Sequence, residues 1–145
     1  MLECIVTKFG GSSLANDEQF RKVRSILELE PTRRYLVPSA PGKRFKEDDK
    51  VTDLLYLCHS LASEGKPIRD VFARIRDRYL SIADGLRLTV DISSALDEVE
   101  QGIAGGKGRD HAGGVSRAAR RLRPPVGALL RPERPAPLPP ERAVW

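Results

Sequence analysis

Apolar positions along this chain switch between two spacings, and the switches divide it into elements. A short β-prone run covers residues 3–9, and a second, apolar through Tyr35, Leu36 and Val37, covers residues 34–39. Elsewhere the spacing is helical. Phe20, Val23, Ile26, Leu27 and Leu29 lie on or near one face of a helix predicted over residues 17–30, with Arg21, Lys22, Arg24 and Glu28 mostly opposite. Asn16 is its N-cap candidate, Asp17 and Glu18 suit its first turn, and Pro31 and Thr32 end it. Three more stripes follow. Val51, Leu54, Leu55, Cys58 and Leu61 end near Gly65; Ile68, Val71, Phe72, Ile75, Tyr79 and Ile82 end near Gly85. Val90, Ile92, Leu96, Val99 and Ile103 form the last, starting near Asp91 and ending at Gly102 or at Gly105-Gly106. Each stripe reads as a packing face, and His59 as a half-buried residue on the second helix.

A strand, a helix and a strand of these lengths read as a βαβ unit, so the expected class is α/β with a parallel, covered sheet. Pro38 is an anomaly there. Proline donates nothing to a ladder, so either the strand stops at Val37 or the sheet is locally weakened. The connection over residues 41–49 reads as a charged, mobile loop.

Composition divides the chain at Gly106. Residues 107–145 hold nine Lys/Arg, three Asp/Glu and seven of the eleven prolines, so this tail carries +6 of a chain whose net charge is +5. The first 106 residues are therefore near neutral, and any nucleic-acid argument concerns the tail alone. The tail has the composition of a disordered or polyproline-II segment, with a short helix predicted near residues 116–122. It lacks interleaved aromatic residues, which argues against base stacking and an RNA partner. No apolar stretch approaches a membrane span and no signal-peptide core follows Met1, so a cytoplasmic protein with no membrane partner is expected. Cys4 and Cys58 lie far apart, outside any Cys-x-x-Cys or Cys/His grouping, and read as buried thiols. His59 and His111 have no neighbours that suggest a triad or a metal site, and no metal ligands are expected.

Chemistry concentrates at Val6-Thr7-Lys8-Phe9-Gly10-Gly11-Ser12-Ser13. A strand delivers a lysine, two glycines and two hydroxyls to a corner that opens a helix. Backbone N–H groups, close approach or positive φ at glycine, and one mobile cation suit a nucleotide phosphate there. The spacing is not that of a Walker loop, and a Gly-Gly-Ser-Ser turn can also be a plain loop. A second segment narrows the choice: Pro38-Ser39-Ala40-Pro41-Gly42 closes the next apolar run, and Lys50-Val51-Thr52-Asp53-Leu54-Leu55 opens the helix after it.

These paired motifs, in this order and at this distance, resemble the N-terminal part of the aspartate kinases of the amino acid kinase family. The resemblance runs from about Met1 to about Gly106. The lysine–glycine–glycine corner alone would indicate only the wider family of carbamate, glutamate, acetylglutamate and uridylate kinases. The resemblance implies part of a carbamate-kinase-like three-layer αβα fold, with residues 1–106 a partial catalytic domain. It implies transfer of the ATP γ-phosphoryl to the side-chain carboxylate of L-aspartate, with ATP and Mg2+ as cofactors. Lys8 would be catalytic, reaching the transferring phosphate. Lys8, Gly10, Gly11, Ser12 and Ser13 would bind the nucleotide, and Ser39 and Thr52 the aspartate. Two hydroxyls have local alternatives, a turn residue for Ser39 and a helix N-cap for Thr52.

The resemblance fails after Gly106. The Ser-Arg-Gly-Glu helix of aspartate kinases has at best an echo in Ser116-Arg117, and the later strands, adenine segment and ACT domains are absent. The expectation is a truncated kinase whose tail is a shifted reading frame or other degenerate end, with apolar faces left open to self-association. The alternative is a non-catalytic interaction protein working through its basic Pro/Arg tail.

Overall fold

Among the described residues, two parallel strands and four α-helices account for the periodicities, and the positions that depart from expectation have local causes. The computed structural model describes residues 5–33, 35–89 and 91–105. Strand β1 (Val6–Phe9) leads through a 3-10 turn (Gly11–Leu14) into helix α1 (Asp17–Glu28). Strand β2 (Tyr35–Pro38) and helices α2 (Val51–Ser63), α3 (Arg69–Gly85) and α4 (Ile92–Ala104) follow. Outside the described residues lie the 107–145 tail with its expected helix, Cys4, His111, and the expected strand and stripe positions at Glu3 and Val90.

The strands pair in parallel with Val6 opposite Tyr35 and Phe9 opposite Pro38. Pro38 thus belongs to the strand, and the ladder does not suffer. In a parallel pair a residue bonds to both neighbours of its partner. The Ser39 N–H donates to the Phe9 carbonyl at 3.0 Å, so Phe9 takes that role and the Pro38 nitrogen faces the outer edge of β2.

Helix α1 begins as its sequence dictates. The Asn16 side chain accepts from the Gln19 N–H at 3.0 Å, and Asp17 and Glu18 occupy the first turn. It ends at Glu28, earlier than predicted, so Phe20 and Val23 are buried while Leu29 is exposed as the C-cap. Asp91 caps α4, accepting from the Ser94 N–H at 3.1 Å and its hydroxyl at 2.6 Å. The stripes of α2, α3 and α4 converge on one contiguous core with Phe9, Leu14, Phe20 and Val23.

Strand alternation gives the sheet two unlike faces. Thr7, Phe9 and Leu36 turn toward the helices, with Leu36 packed against the core. Val6 (65 % exposed), Tyr35 (64 %) and Val37 (40 %) stand on the other face. The described residues therefore supply the sheet and the helical layer on one side of it.

Candidate functional site

Both strands run the same way, so both motif segments emerge at one edge of the sheet, beyond its carboxyl ends. In open α/β sheets that edge is where ligands bind. Gly10 and the 3-10 turn follow β1; Ser39 to Gly42 follow β2.

The two segments meet backbone to backbone. The Gly42 N–H donates to the Gly11 carbonyl at 2.8 Å. A Cβ on Gly42 would lie 2.6 Å from the Gly11 carbonyl carbon and 2.8 Å from the Ser12 nitrogen. One on Gly11 would lie 3.0 Å from the Ala40 carbonyl oxygen. Of the two roles expected of glycine at this corner, close approach and positive φ, the first applies: among the described residues the positive-φ glycine is Gly65, at a helix end. Gly10 differs again, since a Cβ there would meet nothing within 4 Å. Its missing side chain leaves open space beside the turn, whose first N–H groups have no partner within the turn itself.

The Val51 N–H donates to the Pro41 carbonyl at 3.2 Å, which brings the start of α2 to the same place. Lys50 is the N-cap residue of α2 and Thr52 is its second residue, so the capping role considered for Thr52 is not the one it has. Ser39 extends the ladder through its N–H. By alternation it shares a sheet face with Val37 and Lys8. The hydroxyls of Ser12, Ser13, Ser39 and Thr52 and the exposed ammonium of Lys8 have no partner among the described residues. Backbone bonds thus join Gly11, Ser39, Gly42 and the turn before Thr52. Lys8 is tied in through its register with Val37, on the face away from the helices.

The 41–49 loop, expected to be mobile, is pinned by a charge network that sequence reasoning missed. Arg78 of α3 and Asp48 of the loop are 5 % and 7 % exposed and pair at 2.5 Å. Arg78 also donates to the Gly42 carbonyl at 2.6 Å and the Asp49 carbonyl at 3.4 Å. Asp48 further accepts the Arg44 backbone N–H and both arms of its guanidinium at 2.9–3.0 Å. Hydrogen bonds from Arg44 hold the Asp48 carboxyl well below the usual carboxylate range, against the opposing effect of burial, and Arg78 adds to the lowering. Burial, then the nearby Arg44 charge, lowers Arg78 from its ordinary value, yet a guanidinium stays charged in proteins. The available signal was a charge inside an apolar stripe: Arg78 lies three residues after Ile75 and four before Ile82.

Other groups belong to the packing. Burial, with the Glu100 charge adding to it, pushes the Cys58 thiol up to about 11. Tyr79 is fully buried, its hydroxyl has no partner among the described residues, and burial raises its phenol well above the usual range. His59 is half-buried on α2, as expected.

The donor set at the corner fits a phosphate: backbone N–H groups, hydroxyls and one ammonium, with open space at Gly10. It does not fit a bare divalent cation, which requires oxygen ligands of negative charge or carbonyls. Among the described residues no group of three or more His, Cys, Asp or Glu could hold a metal, and no helix is long and apolar enough to cross a membrane.

No family model matches the chain. It is similar to Aspartokinase 3 of Bacillus subtilis (strain 168), at 46 % identity over 85 residues, which cover 57 % of this chain and 18 % of that protein. Among solved structures it is similar to the aspartate kinase of Clostridium acetobutylicum, with a TM-score of 0.80 and 42 % identity, covering 88 % of this chain and 29 % of the other. The chain thus spans less than a third of the length of either relative.

Proposed function

We propose, for a chain related in sequence and fold to the aspartate kinases, that its carboxyl-edge corner binds the ATP phosphates next to L-aspartate and serves phosphoryl transfer to the side-chain carboxylate. The observation that supports this reading is the backbone-to-backbone meeting of the Gly11 and Gly42 segments, because it brings the Gly/Ser turn beside the Ser39 and Thr52 hydroxyls, which have no partner among the described residues. Phosphoryl transfer asks a protein chiefly to align donor and acceptor and to neutralise charge. Gly10 and Gly11, with the Ser12 and Ser13 hydroxyls, form the cradle. Lys8 supplies the cation for the transferring phosphate; it is exposed and has no ion-pair partner among the described residues. Ser39 and Thr52 donate to the aspartate carboxylate without adding charge. Magnesium bound with the nucleotide would shield its phosphates; the corner's Gly10, Gly11, Ser12, Ser13 and Lys8 include no carboxylate to hold it.

The test is titration of the 145-residue chain with MgATP and with L-aspartate, alongside an assay for acyl phosphate trapped by hydroxylamine. The expected result is saturable binding of both. Lys8→Met should weaken MgATP binding and lower any turnover by roughly 100-fold or more, since it removes a preorganised charge from the developing phosphate charge. Binding of neither ligand, or turnover indifferent to Lys8, would sink the reading.

A further inference from the structure

Among the described residues, every acceptor of Arg78 belongs to one short segment. Its guanidinium bonds the Gly42 carbonyl, the Asp48 carboxylate and the Asp49 carbonyl, and nothing else among the described residues. The Nε N–H of the fork is buried with no partner among the described residues. A buried ion pair seldom adds net stability over well-packed apolar residues, and an unsatisfied donor beside it is a further cost. The arrangement is poor as a stability device and good as a fixture. It holds the beginning and end of one loop to a rigid helix at α3.

That loop matters for geometry. Its first residues press Gly42 on Gly11, and its last residues deliver Val51 and Thr52. Ser39 precedes it directly. The phosphate side of the corner, in contrast, is built on β1 and the 3-10 turn, held by the pairing with β2 and by the Ser13 N–H on the Gly10 carbonyl, and Arg78 reaches it only at one remove, through the Gly42 N–H on the Gly11 carbonyl.

We propose that Arg78, with Asp48, is a positioning residue that sets the aspartate side of the corner while leaving the nucleotide side nearly unaffected. This rests on the kinase reading above. Side chains that hold an orienting loop from behind, by charge-assisted bonds to its backbone, fix geometry that contacts with substrate alone cannot fix. Lysine at position 78 would keep the charge but lose the planar fork that reaches two carbonyls and a carboxylate together.

The experiment compares the full chain with Arg78→Lys and Asp48→Asn. Calorimetric titration with L-aspartate and, separately, with MgATP is combined with amide hydrogen exchange and a thermal melt. Both variants should weaken aspartate binding by about 10-fold or more while MgATP stays within about threefold. Faster exchange should be confined to residues 42–50. Equal loss of both ligands with faster exchange throughout α2 to α4 would overturn the proposal, as would unchanged binding of both. Should Arg78→Lys give no cooperative melt, Asp48→Asn decides, because it leaves Arg78 in place; if neither melts cooperatively, the pair is a fold determinant and the proposal falls. Failure of the wild-type chain to bind either ligand defeats the kinase reading first. Wild-type binding with indifferent variants defeats only the assignment of Arg78.

Discussion

Asp48 and Cys58 are the two single residues whose surroundings change their chemistry most usefully for a test. The folded Asp48 carboxyl ionises below its ordinary value of 3.8 because Arg44 and Arg78 bond its charged form. A depressed folded pKa means that the stabilisation is fully present above the unfolded value and is lost as pH falls through the folded one. Asp48→Asn should therefore cost on the order of 3 kcal/mol near neutral pH, where it strands a buried arginine. The difference from wild type should shrink steadily in melts as pH falls below about 4; a gap that is constant with pH would contradict this account. Cys58, with its thiol pushed up to about 11 by burial, should resist iodoacetamide at neutral pH in the folded chain and react only in denaturant. Peptide mapping separates its labelling from that of Cys4, and rapid native labelling at Cys58 would refute the burial.

Helix ends show the same motif built from different residues. At the end of α2 the Gly65 N–H donates to the Ala62 carbonyl and the Lys66 N–H to the Leu61 carbonyl, with Gly65 at φ 69°. At the end of α3 the Arg87 N–H donates to the Asp84 carbonyl and the Leu88 N–H to the Ala83 carbonyl, with Arg87 at φ 54°. Both are Schellman ends, and the left-handed position suits glycine far better than arginine. Arg87→Gly should raise stability by about 0.5–1 kcal/mol, and Gly65→Ala should lower it by about 1 kcal/mol, both read from urea melts. A destabilising Arg87→Gly would mean that the Arg87 side chain does something its backbone strain conceals. The same scale explains Leu29. The helical period alone extended α1 to Glu30, but the helix stops at Glu28 and its last apolar position is left in solvent.

At the scale of the whole molecule, the described residues pack helices against one face of the sheet and leave the other uncovered. Val6, Tyr35 and Val37 form an apolar strip on the open side, next to Lys8. An uncovered apolar sheet face drives association. Sedimentation velocity should show reversible, concentration-dependent oligomers, and Val37→Lys should shift the distribution toward monomer; a monomer at every concentration would remove the prediction.

Local chemistry by itself determined the α/β order, the parallel pairing, the helix stripes and the composition of the corner, because alternation, 3.6-residue periodicity, caps and Gly/Pro punctuation act over a few residues. Asn16, Phe72 and Leu96 could be assigned from their neighbours. Three matters waited for the tertiary structure. The roles of Gly11 and Gly42 depend on a contact between segments thirty positions apart, which no local pattern encodes. Pro38 is tolerated because of which strand edge its nitrogen faces, a property of register rather than of residue type. Arg78 is buried because a loop thirty residues away brings it a carboxylate and two carbonyls; in sequence it is merely a charge interrupting an apolar stripe, and only the fold supplies the partners that make its burial affordable.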